Sequence, residues 1–247
     1  MVVPLASHRL PAIRDLLESV SELVTARLPA VLAGRRNIRY KADGSPVTSS
    51  DELLEGLIRD HLAHRLPDLA FIGEETFDDS QPSLQGHVAL LDPIDGTENF
   101  CSGMKEWGVS LGIWHRGVHL GSLLMMPELG ERLMSGDAIA PYRSRITGLS
   151  SSFDEAIVKA LREAPEYRVT GCAVYNLMNV IRGSFANFRN PKGARAWDLL
   201  PGLMLALEHH CHVRVDDEVF DGRFLDPTRR YRVHIQHRHH LHPRQRT

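Results

Sequence analysis

Residues 90–100 read LLDPIDGTENF, and this stretch limits the folds open to the chain more than any other. It begins as an apolar run and ends in two carboxylates, Asp92 and Asp95, with Pro93 between them and Gly96 and Thr97 directly after. Proline cannot donate a ladder hydrogen bond and keeps the residue before it extended. A strand over 87–92 is therefore expected to stop at Asp92 with its side chain free. Gly96 permits a tight turn. Thr97, Glu98 and Asn99 can then open a helix whose first N–H groups lack intrahelical partners and attract anions. Asp, Pro and Gly are common turn formers, so the stretch has a plain structural reading. It also has a chemical one, offering carboxylates to a hard cation and N–H groups to a phosphate.

Two other places share the pattern. FIGEET ends a short apolar strand in Glu74 and Glu75, and AWDLLPG puts Asp198 at the start of an expected helix with Pro201 in its first turn. Alone, the glutamates read as solvated loop charges and Asp198 as an N-cap. Together the three places set acids where apolar elements end, which is how an oxygen-ligand cage for Mg²⁺ is assembled.

The rest of the chain fits an ordinary globular protein. Its 247 residues can bury one large domain or two closely packed ones, with a boundary near 141–149 that gives halves 1–142 and 143–247. A formal net charge of −2 sets up no field for nucleic acid or an anionic membrane. No apolar run approaches the roughly eighteen residues of a membrane span, and Arg9, Arg14 and Asp15 interrupt any signal-peptide core. Cys101, Cys172 and Cys211 are far apart and odd in number, which argues against a disulfide framework or a CxxC knuckle and for a reducing cytoplasm.

Apolar residues Ile13, Leu16, Leu17, Val20, Leu23 and Val24 predict a helix over 10–32. Leu53, Leu54, Leu57, Ile58 and Leu62 predict a second, capped by Ser49 or Ser50. Residues 69–75 and 87–92 read as strands, and 108–126 as a hairpin around His115-Arg116-Gly117. A helix over 172–181 ended by Gly183, a strand over 184–188, a helix after Asp198 and a last strand before a frayed His/Arg-rich tail from about 234 complete the pattern. Strands and helices mix without regular βαβ alternation, which indicates layered α+β.

GEET, DPIDGTENF and AWDLLPG, in this order, resemble the inositol monophosphatase-like family of Mg²⁺-dependent phosphatases, and GSPVTSSD upstream looks like its SPVTxxD segment. EWGVSLG and GCAVYNLMNVIRGS extend the likeness over about residues 10–226. The resemblance implies an αβαβα layered sandwich, commonly a homodimer, that hydrolyses small phosphate monoesters. It implies that Glu74, Asp92 and the backbone carbonyl of Ile94 hold one Mg²⁺ and that Asp92, Asp95 and Asp198 hold a second. A third, weaker ion near Glu74 and inhibition by lithium are common in the family. Thr97, assisted by Asp51, would orient and deprotonate the attacking water, with Glu74 also counted as catalytic. The Gly96 and Thr97 N–H groups would grip the phosphate, beside Asp95 and Asp198.

Inositol-specific members carry an acid shortly before the WD pair. Here the chain reads FRNPKGARAWD, with Asn190, Pro191 and Lys192 in that region. Lys192 and Arg195 would favour a second anionic group, pointing to nucleotide or sugar bisphosphates, with histidinol phosphate also open. A catalytically weak relative that binds metal and ligand is the alternative reading. The chain is short between Asp137 and Val169, yet Glu74, Asp92, Asp95, Asp198, Thr97 and Asp51 are all present. The HRHHLH cluster reads as a solvated tail, EHHCH as a helix end, and Trp107 and Trp114 as packing residues.

Overall fold

A computed structural model describes residues 10–78, 83–151 and 155–240. In chain order the elements are α1 (Leu10–Gly34), β1 (Ile38–Tyr40), β2 (Pro46–Thr48), α2 (Ser49–Ala63), β3 (Leu69–Gly73), β4 (His87–Asp95) and α3 (Thr97–Cys101). There follow β5 (Gly108–His115), β6 (Val118–Met126), β7 (Glu131–Met134), β8 (Ile146–Leu149), α4 (Glu155–Glu163), β9 (Glu166–Val169) and α5 (Ala173–Ile181). The last are β10 (Asn187–Ala194), α6 (Ala196–Glu208), β11 (His212–Val215), β12 (Glu218–Val219) and β13 (Tyr231–Gln236).

Two sheets carry the layers. One runs β3-β4-β5-β6-β7 and the other β12-β11-β13-β10-β8-β9. Strand β4 shows why helices cover both faces of the first sheet. Successive side chains of a strand point to opposite faces. Ala89 and Leu91 accordingly join a core with α1 and α2, while Val88 and Leu90 join one with α5 and α6. The second sheet closes that shared core through Phe188, Val213, Val233 and Ile235. On its far side Leu149 meets Ile157 and Ala160 of α4. The order is thus α1/α2, sheet, α5/α6, sheet, α4, an α+β sandwich of five layers. Each fully buried leucine or isoleucine here contributes about 1.5–3 kcal/mol by leaving water. Among the described residues, no helix is long and apolar enough to cross a membrane.

Several local expectations need correction. Strand β4 does not stop at Asp92. It runs on to Asp95, with a register shift against β5 between those two residues. The bulge accommodates Pro93, which has no N–H to pair. The cap of α2 is Thr48, whose side chain accepts from the Ser50 N–H while Asp51 accepts from the Thr48 N–H. Leu53 is exposed, and Glu55 takes its place on the buried face. The strand expected over 184–188 begins at Asn187 and continues to Ala194, because Phe188 and Asn190 pair with β13 at Ile235 and Val233. The tail is still ordered at 234. Residues 234–236 complete β13 and His237 is buried, while 241–247 lie outside the described residues.

Candidate active site

Three carboxylates from three elements converge. Ligand oxygens of Glu74, after β3, Asp92, in β4, and Asp198, in α6, all lie within 4.8 Å of one another. Local structure explains the convergence. The Glu74 N–H donates to the Leu91 carbonyl at 3.1 Å, fixing the end of β3 beside β4. Asp92 faces Ser110 across the β4–β5 ladder. The Ser110 hydroxyl, fully buried, donates to the Trp197 carbonyl at 2.9 Å and so ties the start of α6, with Asp198, to the sheet. One oxygen of Asp198 accepts from the Arg195 N–H at 2.7 Å, capping α6 and orienting the carboxylate.

Asp95 stands slightly apart from this group. Its Oδ2 accepts from the Cys172 thiol at 2.9 Å and from the Val174 N–H at 2.5 Å, at the N-terminus of α5. Gly96 makes the turn with φ of 82°, and a Cβ there would stand 3.0 Å from Cys172 Cβ. Only glycine reaches that conformation without strain. The Thr97 hydroxyl donates to the Ile94 carbonyl at 3.0 Å and lies 3.4 Å from Asp51 Oδ1. Asp51 is anchored through its other oxygen by the Thr48 N–H and hydroxyl. The expected Thr97–Asp51 pair is therefore side by side, with the shorter bond going to Ile94.

Burial and mutual repulsion dominate the electrostatics of this acid cluster. Burial, reinforced by Glu74, Asp95 and Asp198, pushes Asp92 well above the usual carboxylate range. Burial likewise raises Asp198 to about 8 and Asp95 to about 6, the latter restrained by its bonds to Cys172 and Val174. Burial also raises Asp51, against the pull of Thr48, and lifts Glu75 to about 7, with Glu74 adding to it. Clustered, largely buried acids resist ionising together unless opposing charge lies close by. Lys41 supplies part of that charge, with Nζ 2.8 Å from Glu74 and 3.0 Å from Glu75. Burial alone would lower its pKa, and the two glutamates more than reverse this.

Two expected selectors lie elsewhere. A cavity of about 170 Å³ opens beside Asp95 and Asp198, and neither Lys192 nor Arg195 lines it. Lys192 is exposed on β10. Arg195 donates to the Pro227 and Thr228 carbonyls at 3.2 and 2.6 Å and lies over the Trp197 ring. Residues not anticipated from the sequence take part instead. Glu55, 1% exposed, accepts from the Glu75 N–H at 2.9 Å and sets the turn after β3. A Cβ on Gly73 would collide with its carboxylate at 2.4 Å, so GEET begins with glycine for packing. No local signal marks Glu55, which reads as an ordinary helix acid until packing brings the Glu75 N–H to it. A larger cavity of about 370 Å³, near His87 and His115 at the opposite end of β4, has no acid in its lining.

Comparison with known proteins agrees with this geometry. A profile of the Inositol monophosphatase family matches residues 8–140, more than half of the chain. A histidinol-phosphatase from Chlorobaculum parvum is 37% identical over 100 residues, covering 40% of this chain and 38% of that protein. The chain thus spans well under half the length of that relative. A 3'-phosphoadenosine 5'-phosphate phosphatase from Mycobacterium leprae is 27% identical over 229 residues, covering 84% of each chain. A crystal structure of an IMPase/NADP phosphatase complexed with Mg²⁺ and phosphate superposes with a TM-score of 0.76 at 17% identity, over 92% of this chain and 91% of that one. The chain belongs to the inositol monophosphatase family.

Proposed function

We propose that the protein hydrolyses a small-molecule phosphate monoester with Mg²⁺, using two or three ions held by Glu74, Asp92, Asp95, Asp198 and the Ile94 carbonyl. The observation that carries this reading is the convergence of Glu74, Asp92 and Asp198 within 4.8 Å of one another, with Asp92 buried and the other two partly so. An all-oxygen donor set without His or Cys suits a hard cation. When bound, such ions activate water as a nucleophile and stabilise the leaving oxygen of a phosphate ester.

The chain's own groups supply the remaining chemistry. Thr97 accepts a proton from the attacking water while passing its hydroxyl proton to Asp51, whose raised pKa favours taking it. In the structure that hydroxyl lies 3.0 Å from the Ile94 carbonyl and 3.4 Å from Asp51 Oδ1, so the relay requires it to close on Asp51. Gly96 and Thr97 N–H groups, at the start of α3, would grip the phosphate oxygens. The α5 N-terminus fixes Asp95 through Val174 and Cys172. Family relatives act on substrates as different as histidinol phosphate and 3'-phosphoadenosine 5'-phosphate, which fits a shared turn with a variable wall. A cytoplasmic homodimer is part of the same proposal and rests on the family likeness and on the free cysteines.

The test is phosphate release from a panel of monoesters before and after chelation. Activity that vanishes with the chelator and returns with Mg²⁺ is expected. Unchanged activity in chelator would overturn the mechanism. Binding of Mg²⁺ and phosphate with no hydrolysis of any ester would favour the catalytically weak relative.

A further inference from the structure

The wall facing Asp95 and Asp198 has an uneven charge. Among the residues lining that cavity, Arg230 is the sole cation, and the only acids are Asp95 and Asp198, both candidate metal ligands. With those two engaged by metal, the one formal charge left on the wall is positive. Arg230 has no hydrogen bond or ion pair to any described residue, whereas its neighbour Arg229 lies over the Tyr231 ring and pairs with Asp216 at 3.8 Å. Its charge acts weakly on Asp43, on the β1–β2 turn, and Asp43 is occupied by the Ser45 N–H and hydroxyl at 3.0 and 2.6 Å.

The segment carrying Arg230 is held in place. Asp226 accepts from the Thr228 N–H and hydroxyl at 2.9 and 2.7 Å, closing a turn. The Arg195 guanidinium clamps the Pro227 and Thr228 carbonyls from below. The cation that the sequence nominated as a selector is thus the support of the cation that reaches the cavity. Two polar groups of the wall also lack partners among the described residues. Asn176 is 1% exposed and donates to the Cys172 carbonyl, but its Oδ1 accepts nothing, and the buried Ser150 hydroxyl is unpaired. Buried polar atoms left unpaired cost free energy, and a bound ligand removes that cost.

We propose that Arg230 is a specificity residue that grips a second anionic group on the alcohol side of the phosphate ester, with Asn176 and Ser150 meeting hydroxyl groups of the same molecule. The favoured substrate class is a hydroxylated phosphate monoester bearing a further phosphate or carboxylate. Esters with an ammonium group in that place are disfavoured. This deepens the proposed function and rests on it.

The test separates binding from turnover. The full-length protein with Mg²⁺ is titrated calorimetrically with fructose 1,6-bisphosphate, glycerol 3-phosphate and phosphoethanolamine, and phosphate release from the same three esters is measured in parallel. The parent is expected to bind and turn over the bisphosphate best. Arg230→Gln is expected to weaken bisphosphate affinity and raise its KM about tenfold, with kcat held and the other two esters unchanged. Arg230→Lys should recover part of the loss. Equal parent affinity for all three esters, or equal losses on all three in Arg230→Gln, would overturn the proposal. Preferential bisphosphate binding without hydrolysis would contradict the phosphatase reading and leave the anion selectivity of Arg230 supported.

Discussion

The turn that ends β4 and the wall that faces it are built in opposite ways. Asp92, Asp95, Gly96 and Thr97 come from one short stretch, while Ser150, Asn176, Asn190 and Arg230 come from four separate segments of the second half. The turn is held by contacts that are mostly local, such as Ile94 N–H to Asp92 and Thr97 hydroxyl to Ile94. The wall exists only once β10, α5 and the segment before β13 have packed together. Chemistry common to a family can sit in the first kind of structure and selectivity in the second, because the wall can vary without disturbing the turn.

The strongest way to break this division is to alter the turn. Asp92→Asn should lower kcat by about a thousandfold or more on every ester, with no change in substrate ranking. The same substitution removes a buried carboxyl that stays neutral only by holding a proton, and should raise the Tm of the metal-free protein most at high pH. An altered ranking would mean that the turn also selects. Thr97→Ala and Asp51→Asn should each cost about a hundredfold to ten-thousandfold, and the double variant should cost little more than the worse single one, since the two act as one relay. Additive losses in kcat would separate their roles. Ser110→Ala should reduce activity by about tenfold and stability by about 1 kcal/mol, through a loosened link between Asp92 and Asp198. Lys192→Gln should change KM by less than about twofold on any ester, which steady-state kinetics would read directly.

The raised carboxylates make a further prediction about the turn. In the absence of metal the folded protein holds protons on Asp92, Asp95 and Asp198 that the unfolded chain releases near pH 4. Stability of the metal-free protein is therefore present in full below that pH and falls as pH rises through about 6 to 8. Its Tm should be higher at pH 5 than at pH 8, and Mg²⁺ should restore it at pH 8. A Tm that rises over this range without metal would contradict the burial of uncompensated acids.

Much of the turn was legible because its signals are local. Pro93 and Gly96 mark a bend, and acids at the ends of apolar runs stand out against period-2 patterning. The exact end of β4 was not legible, since the bulge depends on pairing with β5 beyond Asp92. Glu55 and Ser110 were missed for a related reason. Each looks like an ordinary helix or strand residue until its partner, the Glu75 N–H or the Trp197 carbonyl, is brought to it by packing. Lys192 and Arg195 sit near Asp198 in sequence, but β10 leaves Lys192 in solvent and the carbonyls of Pro227 and Thr228 claim Arg195. Sequence proximity is a poor guide to a wall assembled from distant segments.

The most direct measurement is a Mg²⁺ titration of metal-stripped protein, following phosphate release from a small monoester alongside calorimetric heat of Mg²⁺ binding, in the parent and in Asp92→Asn. The parent should bind Mg²⁺ and gain activity over the same concentration range, and Asp92→Asn should lose both. Hydrolysis by the stripped parent, or full Mg²⁺-dependent activity in Asp92→Asn, would contradict a cation site built on Glu74, Asp92 and Asp198.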